Sequence, residues 1–361
     1  MNILIITQKY DINDSNLGAF IDWWNKLAKK FEKIYILALE KRSEPVMTNI
    51  KVVSMGKEKK AGFFGKIYGF YTGLLKTIGE TDAILVHMVP KYVILAVPIA
   101  FIYKKPLYFW YTGVSAHWQL KLAVIFCKKI FTAHEAGMRI DTKKRIIIGH
   151  GIDTNLFQIS KLPPTGDLPK GDKSQISTVT VLSVGRITPS KQHDFVIRAI
   201  TDLIKSDYNL KLKIIGGIIQ EYHQEYFEFL KKLVKDLKVD EKIEFSGSVS
   251  YNKMPEYFQN AEILINAVPF GGLDKVVLEA MASGIIPLTS NSAFLTVFPK
   301  SIAQNLVFKD GDVEDLKNKL KNIIDKKLYQ NEVLRSELRE IVVKNHNLDN
   351  LIIRIVKEIN Q

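Results

Sequence analysis

The segment VGRITPSK places two basic residues at a spacing that suits an anionic ligand. Arg186 follows Gly185 directly, and Lys191 comes five residues after Arg186. A guanidinium fork together with an ammonium group can bind a diphosphate, whose negative charge grows as a bond to it breaks. Single basic residues near the start of a helix are usually solvated, so this pair on its own is weak support for a site.

A second segment, GGLDKVVLEAM, joins a flexible loop to a helix that contains one glutamate. The loop residues are Gly271, Gly272, Leu273, Asp274 and Lys275. Glu279 follows Lys275 by four positions, so both side chains lie on the same helical face. One interpretation is a solvated ion pair on an ordinary helix. The other is a carboxylate that accepts hydrogen bonds from a ribose diol.

Short apolar runs alternate with amphipathic stretches along the whole chain, as expected of βαβ units around parallel sheets. The pattern predicts seven strands before residue 150 and five after residue 177, among them TVTVLSVG, EILINAV and IIPLTS. Asp274 is predicted to be the N-cap of the helix KVVLEAMAS, and Gly284 is predicted to end that helix. Both charged segments then follow strand ends, where doubly wound folds bind ligands.

The length of 361 residues and one break in the pattern predict two domains. Residues 158–177 are rich in proline, glycine, lysine and serine, and we place the linker at 161–177. The sequence therefore predicts an α/β chain with two Rossmann-like domains facing across a cleft. Residues 1–160 form the first domain and 178–346 the second. The C-terminal helix, 347–361, closes the second domain or packs back on the first.

Composition narrows the class of protein. The formal net charge is +13, which suits an anionic partner or simply a lysine-rich solvated surface. Cys127 is the one cysteine, and its apolar surroundings predict a thiol in the core of a protein from a reducing compartment. The N-terminus has no signal-peptide pattern, and the longest apolar run, 92–103, is too short to span a bilayer. We expect a cytoplasmic protein.

The segments GR-x4-K and VVLEAMASG-x-x-P, together with HGIDTNLF at 150–157, resemble retaining nucleotide-sugar glycosyltransferases of family 4, which have the GT-B fold. The resemblance implies that Arg186 and Lys191 bind the donor diphosphate, that Glu279 binds the ribose and that the loop 271–275 holds the sugar. Where the family usually has a first glutamate, this chain has Gly271. Asp274 is the candidate substitute for that missing carboxylate.

The same resemblance assigns the acceptor to the first domain, where the motifs are less specific. Gly18 lies in the loop after the first strand. Members of the family have a glycine-containing loop at this place that approaches the donor phosphates, so the resemblance makes Gly18 a donor-binding candidate. His117 is the candidate catalytic histidine, and the other two catalytic candidates are Arg186 and Lys191. For His87 and His150 a structural role is the preferred interpretation.

The function implied is retaining transfer of a hexose-type sugar from a UDP- or GDP-linked donor to a glycan or polyprenyl-linked glycan acceptor, as in capsule, exopolysaccharide or lipopolysaccharide synthesis. No cofactor and no metal are expected, because no Asp-x-Asp motif follows a strand. A non-catalytic nucleotide-sugar-binding protein is the alternative, motivated by Gly271. Nucleic-acid binding is unsupported by any motif, as is a dinucleotide or Walker-type site.

The segment KEKKAGFFGKIYGFYTGLLK, 57–76, mixes lysines, aromatics and glycines. It predicts either a helix packed on the sheet or a contact with an anionic membrane surface, such as the inner face of the plasma membrane.

Overall fold

The computed structural model describes residues 1–159, 178–218, 220–269 and 271–361. Its described residues divide into two compact units, Met1–Gly151 with His346–Gln361, and Ile152–Asn345. The C-terminal residues thus group with the first unit, and 152–159 group with the second. The predicted linker, 161–177, lies outside the described residues.

The described part of the first unit contains one parallel sheet with the strand order β3-β2-β1-β4-β5-β6-β7. The strands are β1 Asn2–Tyr10, β2 Lys33–Lys41, β3 Ile50–Ser54, β4 Ala83–His87, β5 Leu107–Trp110, β6 Lys129–Thr132 and β7 Arg145–Ile147. Their near-continuous apolar sequences suit a sheet that is covered on both faces.

The described part of the second unit contains a smaller parallel sheet with the order β10-β9-β8-β11-β12. Its strands are β8 Val179–Val184, β9 Leu210–Ile215, β10 Ile243–Gly247, β11 Ile263–Asn266 and β12 Ile286–Thr289. The chain leaves β8 toward β9 on one side, and β11 lies on the other side. The strand order therefore reverses between β8 and β11, which is where doubly wound sheets bind ligands.

Twelve helices occur in the described ranges. They are α1 Ala19–Ala28, α2 Phe63–Ile78, α3 Pro90–Ile102, α4 Trp118–Phe126, α5 His193–Ile204, α6 Gln224–Asp236, α7 Met254–Gln259, α8 Lys275–Ala282, α9 Ala303–Leu306, α10 Val313–Asp325, α11 Glu332–Asn345 and α12 Leu348–Ile359. The predicted α/β organisation with two sheets is confirmed. None of these helices is long and apolar enough to cross a bilayer.

The helices of the first unit form one layer on each face of its sheet. Helices α1 and α12 pack on one face through residues such as Trp24 and Leu351. Helices α2, α3 and α4 pack on the other through residues such as Phe70, Val93 and Leu120. The apolar run 92–103 is thus mostly helix α3. Cys127 belongs to the same core, as predicted, and burial raises the pKa of its thiol to about 12.

Candidate functional site

The carboxyl end of β8 carries Gly185 and Arg186, and Lys191 follows in a short 3₁₀ turn, Pro189–Lys191. A Cβ atom on Gly185 would lie 3.1 Å from Cδ of Lys191, so the lysine stem runs directly over the glycine. The Arg186 side chain is exposed, and its carbonyl oxygen accepts a hydrogen bond of 3.2 Å from Nε2 of the buried His193. The loop backbone is thereby fixed while the guanidinium remains available to a ligand.

Lys191 brings the β8 loop to the loop that follows β11. Its Nζ atom lies 3.9 Å from Oδ1 of Asp274. Burial lowers the pKa of the Lys191 ammonium, although Asp274 opposes the shift and Arg186 adds to it. Burial also raises the pKa of the Asp274 carboxyl, against the effects of Lys191 and Asn291. The pair is too far apart for a direct hydrogen bond, so Lys191 keeps donors for an anion.

Asn291 fixes the glycine loop, although no sequence motif pointed to this residue. Its Nδ2 atom donates to the carbonyl oxygen of Gly272 at 2.9 Å and to Oδ2 of Asp274 at 3.1 Å. The backbone N–H of Asn291 donates to Oγ1 of Thr289 at 3.1 Å. The Thr289 hydroxyl in turn donates to Oδ1 of Asn266 at 2.9 Å. The signal that could have found it is its place directly after β12, at the same sheet edge as the other loops.

Asp274 stands at the N-cap of α8, as predicted, but its side chain makes no capping hydrogen bond. The expected capping role is therefore wrong for the side chain, because the carboxylate turns toward Asn291 and Lys191 instead. The first turn of α8 is left without a side-chain cap, and the positive end of the helix suits an anion.

Lys275 and Glu279 lie on one face of α8, as their spacing requires. Their Nζ and Oε1 atoms are 3.5 Å apart, and Nζ also donates to Oη of Tyr251 at 3.1 Å. The glutamate is buried, with 5% of its surface exposed, so the pair is not a solvated surface pair. Burial raises the pKa of the Glu279 carboxyl, against the effects of Lys275 and Tyr251. Within the described ranges, Oε1 has no hydrogen-bond partner of ordinary geometry.

Gly271 has open space around it. A Cβ atom there would meet Nδ2 of Asn291 at 3.8 Å and no nearer atom of the described residues. Leu273, by contrast, is buried and anchors the middle of the loop. The loop thus combines a fixed base with an unfilled volume at Gly271.

The candidates in the first unit have local structural roles. Gly18 precedes α1, and a Cβ atom there would lie 2.4 Å from the carbonyl oxygen of Asp14, so the fold of the loop requires glycine. His117 is exposed and caps α4, with Nδ1 accepting from the amide of Leu120 at 3.2 Å. Gly18 and His117 belong to the first unit, whereas the other candidate site residues belong to the second.

His87 and His150 are both buried in the first unit. Nδ1 of His87 lies 3.1 Å from Oγ1 of Thr7, and its ring packs against Phe20. Burial lowers the pKa of His87 to about 3. A neutral histidine held in a core agrees with the structural role preferred for it.

Two parallel sheets with helices on their faces are the architecture of the GT-B fold, and the cation-lined edge lies at the strand reversal of the second sheet, where doubly wound sheets bind ligands. Residues 171–345 match the family described as glycosyl transferases group 1. The match lies within the second unit and confirms the predicted resemblance to GT-B glycosyltransferases.

Three similar proteins illustrate the relationship. Protein CapJ of Staphylococcus aureus is 22% identical over 372 residues, covering 95% of this chain and 90% of CapJ. The human GDP-Man:Man(3)GlcNAc(2)-PP-Dol alpha-1,2-mannosyltransferase is 30% identical over 131 residues, which are 35% of this chain. The chain spans 27% of the length of that human protein. The crystal structure of Anabaena Alr3699/HepE in complex with UDP-glucose superposes with a TM-score of 0.76 at 16% identity, covering 100% of this chain and 99% of HepE.

Proposed function

We propose that the chain transfers a hexose-type sugar from a UDP- or GDP-linked donor to a glycan or lipid-linked glycan acceptor, with retention of anomeric configuration. The observation that supports it best is the approach of Lys191 to Asp274 between the loops that follow β8 and β11. Arg186 lies on the first of these loops, and the buried Glu279 lies in the helix that follows the second. The human relative is named as a mannosyltransferase that uses GDP-Man, and HepE was crystallised with UDP-glucose, which is consistent with a nucleotide-sugar donor.

Arg186 and Lys191 bind the donor diphosphate in this proposal. Lys191 is half-buried, so water screens its charge less than that of a surface lysine. The uncapped first turn of α8 adds the positive end of a helix dipole. Lys191 and the first turn of α8 are held in place by the fold before the ligand binds, which is what stabilisation of a departing diphosphate requires. Transfer then needs no divalent ion, and activity should persist in EDTA.

Glu279 binds the ribose. Its Oε1 atom is a buried acceptor with only Lys275 at ion-pair distance in the described structure. A ribose diol would supply the donors that such an acceptor lacks, and hydrogen bonds to a charged acceptor are among the stronger ones. Burial raises the pKa of the Glu279 carboxyl, and Lys275 and Tyr251 oppose that rise.

The loop 271–275 holds the transferred sugar, with Asp274 in place of the carboxylate that is missing at Gly271. The Asp274 side chain has a defined position, because both Asn291 and Lys191 contact it. The first unit binds the acceptor, and His117 polarises the reacting groups. UDP and GDP are both candidates, since HepE was crystallised with UDP-glucose and the mannosyltransferases are named for GDP-Man.

A nucleotide-sugar-binding protein without catalytic activity is the second candidate. The open volume at Gly271 favours it, because no side chain from that position can contact the sugar. The two candidates share the nucleotide site and differ in turnover with a suitable acceptor.

Calorimetry tests the nucleotide site shared by both candidates. UDP, GDP and their sugars are titrated into the purified protein, into Glu279→Gln and into Glu262→Gln as a matched control. Glu262 is another glutamate of this unit, and it is partly buried. Its Oε2 accepts a hydrogen bond from the backbone amide of Thr180 near the amino end of β8, away from the carboxyl ends of the strands. We expect Glu279→Gln to weaken nucleotide binding at least tenfold and the control to bind normally. Equal affinity in all three proteins would contradict the proposed site.

A further inference from the structure

The first unit exposes an unusual number of large hydrophobic side chains on one layer of helices. Ten of the nineteen such side chains exposed in the described ranges fall between residues 63 and 126, on or beside α2, α3 and α4. They include Phe64 at 83% exposure, Phe101 at 84% and Trp118 at 67%. These three helices share one face of the sheet, so their outer surfaces belong to a single layer.

Helical geometry gathers these side chains into outward stripes. On α2, positions 64, 68 and 75 fall within about 40° of one another at roughly 100° per residue. Their side chains are exposed, whereas Phe70 and Leu74 point into the core. On α4, Trp118 and Ile125 are similarly exposed, while Leu120 is buried. Helices α2 and α4 therefore each have one apolar side packed on the sheet and a second apolar side in solvent, and α3 adds Phe101 and Ile102 at its C-terminal end.

The three helices of this layer carry charges of one sign, because α2, α3 and α4 contain lysines and no aspartate or glutamate. The acidic residues nearest to α2 in the chain are Glu58, Glu80 and Asp82, and none follows between residues 83 and 134, where six lysines occur. Exposed lysines stand among the apolar side chains at 59, 60, 91, 104, 121 and 128. The opposite layer differs, because α1 and α12 carry acidic residues and are joined by an ion pair of 2.7 Å between Lys26 and Asp349.

We propose that the outer surface of α2, α3 and α4 binds the surface of a bilayer that contains anionic lipids. Aromatic and aliphatic side chains enter the boundary between headgroups and acyl chains, and the exposed lysines on and beside helices that contain no acidic residue attract the anionic headgroups. A surface that binds another protein would be expected to carry both positive and negative side chains, whereas the charged side chains of α2, α3 and α4 are all lysines. The proposal does not rest on sugar transfer, and it concerns a surface contact rather than a span.

Vesicle binding tests this surface. Full-length protein is mixed with vesicles of phosphatidylcholine containing phosphatidylglycerol, or of phosphatidylcholine alone, and the bound fraction is measured by flotation. We expect binding to the anionic vesicles that weakens with added salt, because exposed charges are screened over about 10 Å at 0.1 M salt. Binding to neutral vesicles should be at least tenfold weaker.

Two sets of substitutions have matched controls. The apolar set is Phe64→Ser, Phe101→Ser and Ile125→Ser, and its control set is Val46→Ser, Tyr222→Ser and Val333→Ser, which are also exposed. The basic set is Lys59→Gln, Lys104→Gln and Lys121→Gln, and its control set, with the same loss of charge, is Lys232→Gln, Lys300→Gln and Lys326→Gln. Each test set should lower affinity for anionic vesicles at least tenfold, and each control set should leave it within about twofold.

Several outcomes would overturn the proposal. They are failure of the unaltered protein to bind anionic vesicles, equal binding by a test set and its control, or loss of a self-associated species in the apolar set without any change in vesicle binding. Thermal unfolding checks that every variant is folded. Nucleotide affinity by calorimetry should be the same in all of them, so this test and that of the donor site can fail separately.

Discussion

At the scale of single residues, Arg186 and Lys191 are the cations expected to stabilise the departing nucleoside diphosphate. Replacing either with alanine should raise the barrier to transfer by about 2–4 kcal/mol, which is roughly a 30- to 1,000-fold loss of kcat. Folding should change little, because Arg186 is exposed and Lys191 has no direct hydrogen bond to Asp274. Steady-state kinetics on donor and acceptor measure the effect.

Arg198→Ala supplies the control for this prediction, since Arg198 is an exposed arginine on α5 of the same unit. Normal turnover is expected for it. If Arg186→Ala also turned over normally, the assignment of the diphosphate site would be wrong.

The Asp274 side chain makes no capping hydrogen bond to α8, so a substitution there tests its role on the sugar without changing a helix cap. Asp274→Asn keeps the shape and a hydrogen-bonding oxygen for Asn291 but loses the charge beside Lys191. We expect affinity for the nucleoside diphosphate to stay nearly unchanged and transfer to fall at least tenfold. Calorimetry and kinetics on the same preparation separate the two effects, and unchanged transfer would contradict a role for this carboxylate on the sugar.

At the scale of elements, helix α8 is fixed at both ends. Asn291 ties the loop before it to the ends of β11 and β12. At its other end, Arg335 donates to the carbonyl oxygen of Gly284 at 2.6 Å, and Arg339 donates to that of Ala282. Cations at the C-terminus of a helix are favourable to its dipole. The helix that carries Lys275 and Glu279 is therefore held at both ends.

Gly284 is the position where this anchoring is most sensitive to substitution. Its φ is +70°, and a Cβ atom would lie 2.9 Å from Cγ1 of Ile159. Gly311 has a φ of +71° with open space around it. Gly311→Ala should therefore cost about 1 kcal/mol of unfolding free energy through the backbone alone, and Gly284→Ala about 1 kcal/mol more.

Denaturant titrations followed by circular dichroism measure the difference between the two alanine variants. Equal losses of stability would show that the packing against Ile159 contributes nothing. Reduced nucleotide affinity in Gly284→Ala alone would show that the position of α8 matters to the site.

At the scale of the whole molecule, buried histidines make stability depend on pH. Burial lowers the pKa of His87 to about 3, below the value of about 6.5 for an unfolded histidine. Between these values the unfolded chain binds a proton that the folded chain does not. The contribution of His87 to stability is therefore complete above about pH 6.5 and is lost at about 1.4 kcal/mol per pH unit as the pH decreases toward 3.

All four tryptophans, at 23, 24, 110 and 118, lie in the first unit, so their fluorescence reports the unfolding of that unit. His87→Gln should flatten the dependence of its unfolding free energy on pH between 6 and 4. Phe64→Ser, an exposed substitution in the same unit that removes no titratable group, should leave that dependence unchanged. Identical pH slopes in the two variants would contradict the role of His87.

Local features of the chain were sufficient to predict much of this architecture. The alternation of apolar and amphipathic stretches predicted both sheets, because parallel strands covered by helices need such runs. Gly284 was predicted to end α8, and a positive φ is a requirement of the backbone at that residue. The four-residue spacing of Lys275 and Glu279 placed them on one face of α8 for the same kind of local reason.

Tertiary structure alone decided which of these residues meet and how deeply they are buried. Lys191 approaches Asp274 because β8 and β11 are neighbours in the sheet, and Asn291 reaches the same loop from β12. The burial that makes Glu279 an acceptor rather than a solvated surface charge depends on packing by segments distant in the chain, such as Tyr251. Periodicity is a property of neighbouring residues, whereas burial and the charge around a side chain are set by whichever distant segments the fold brings beside it.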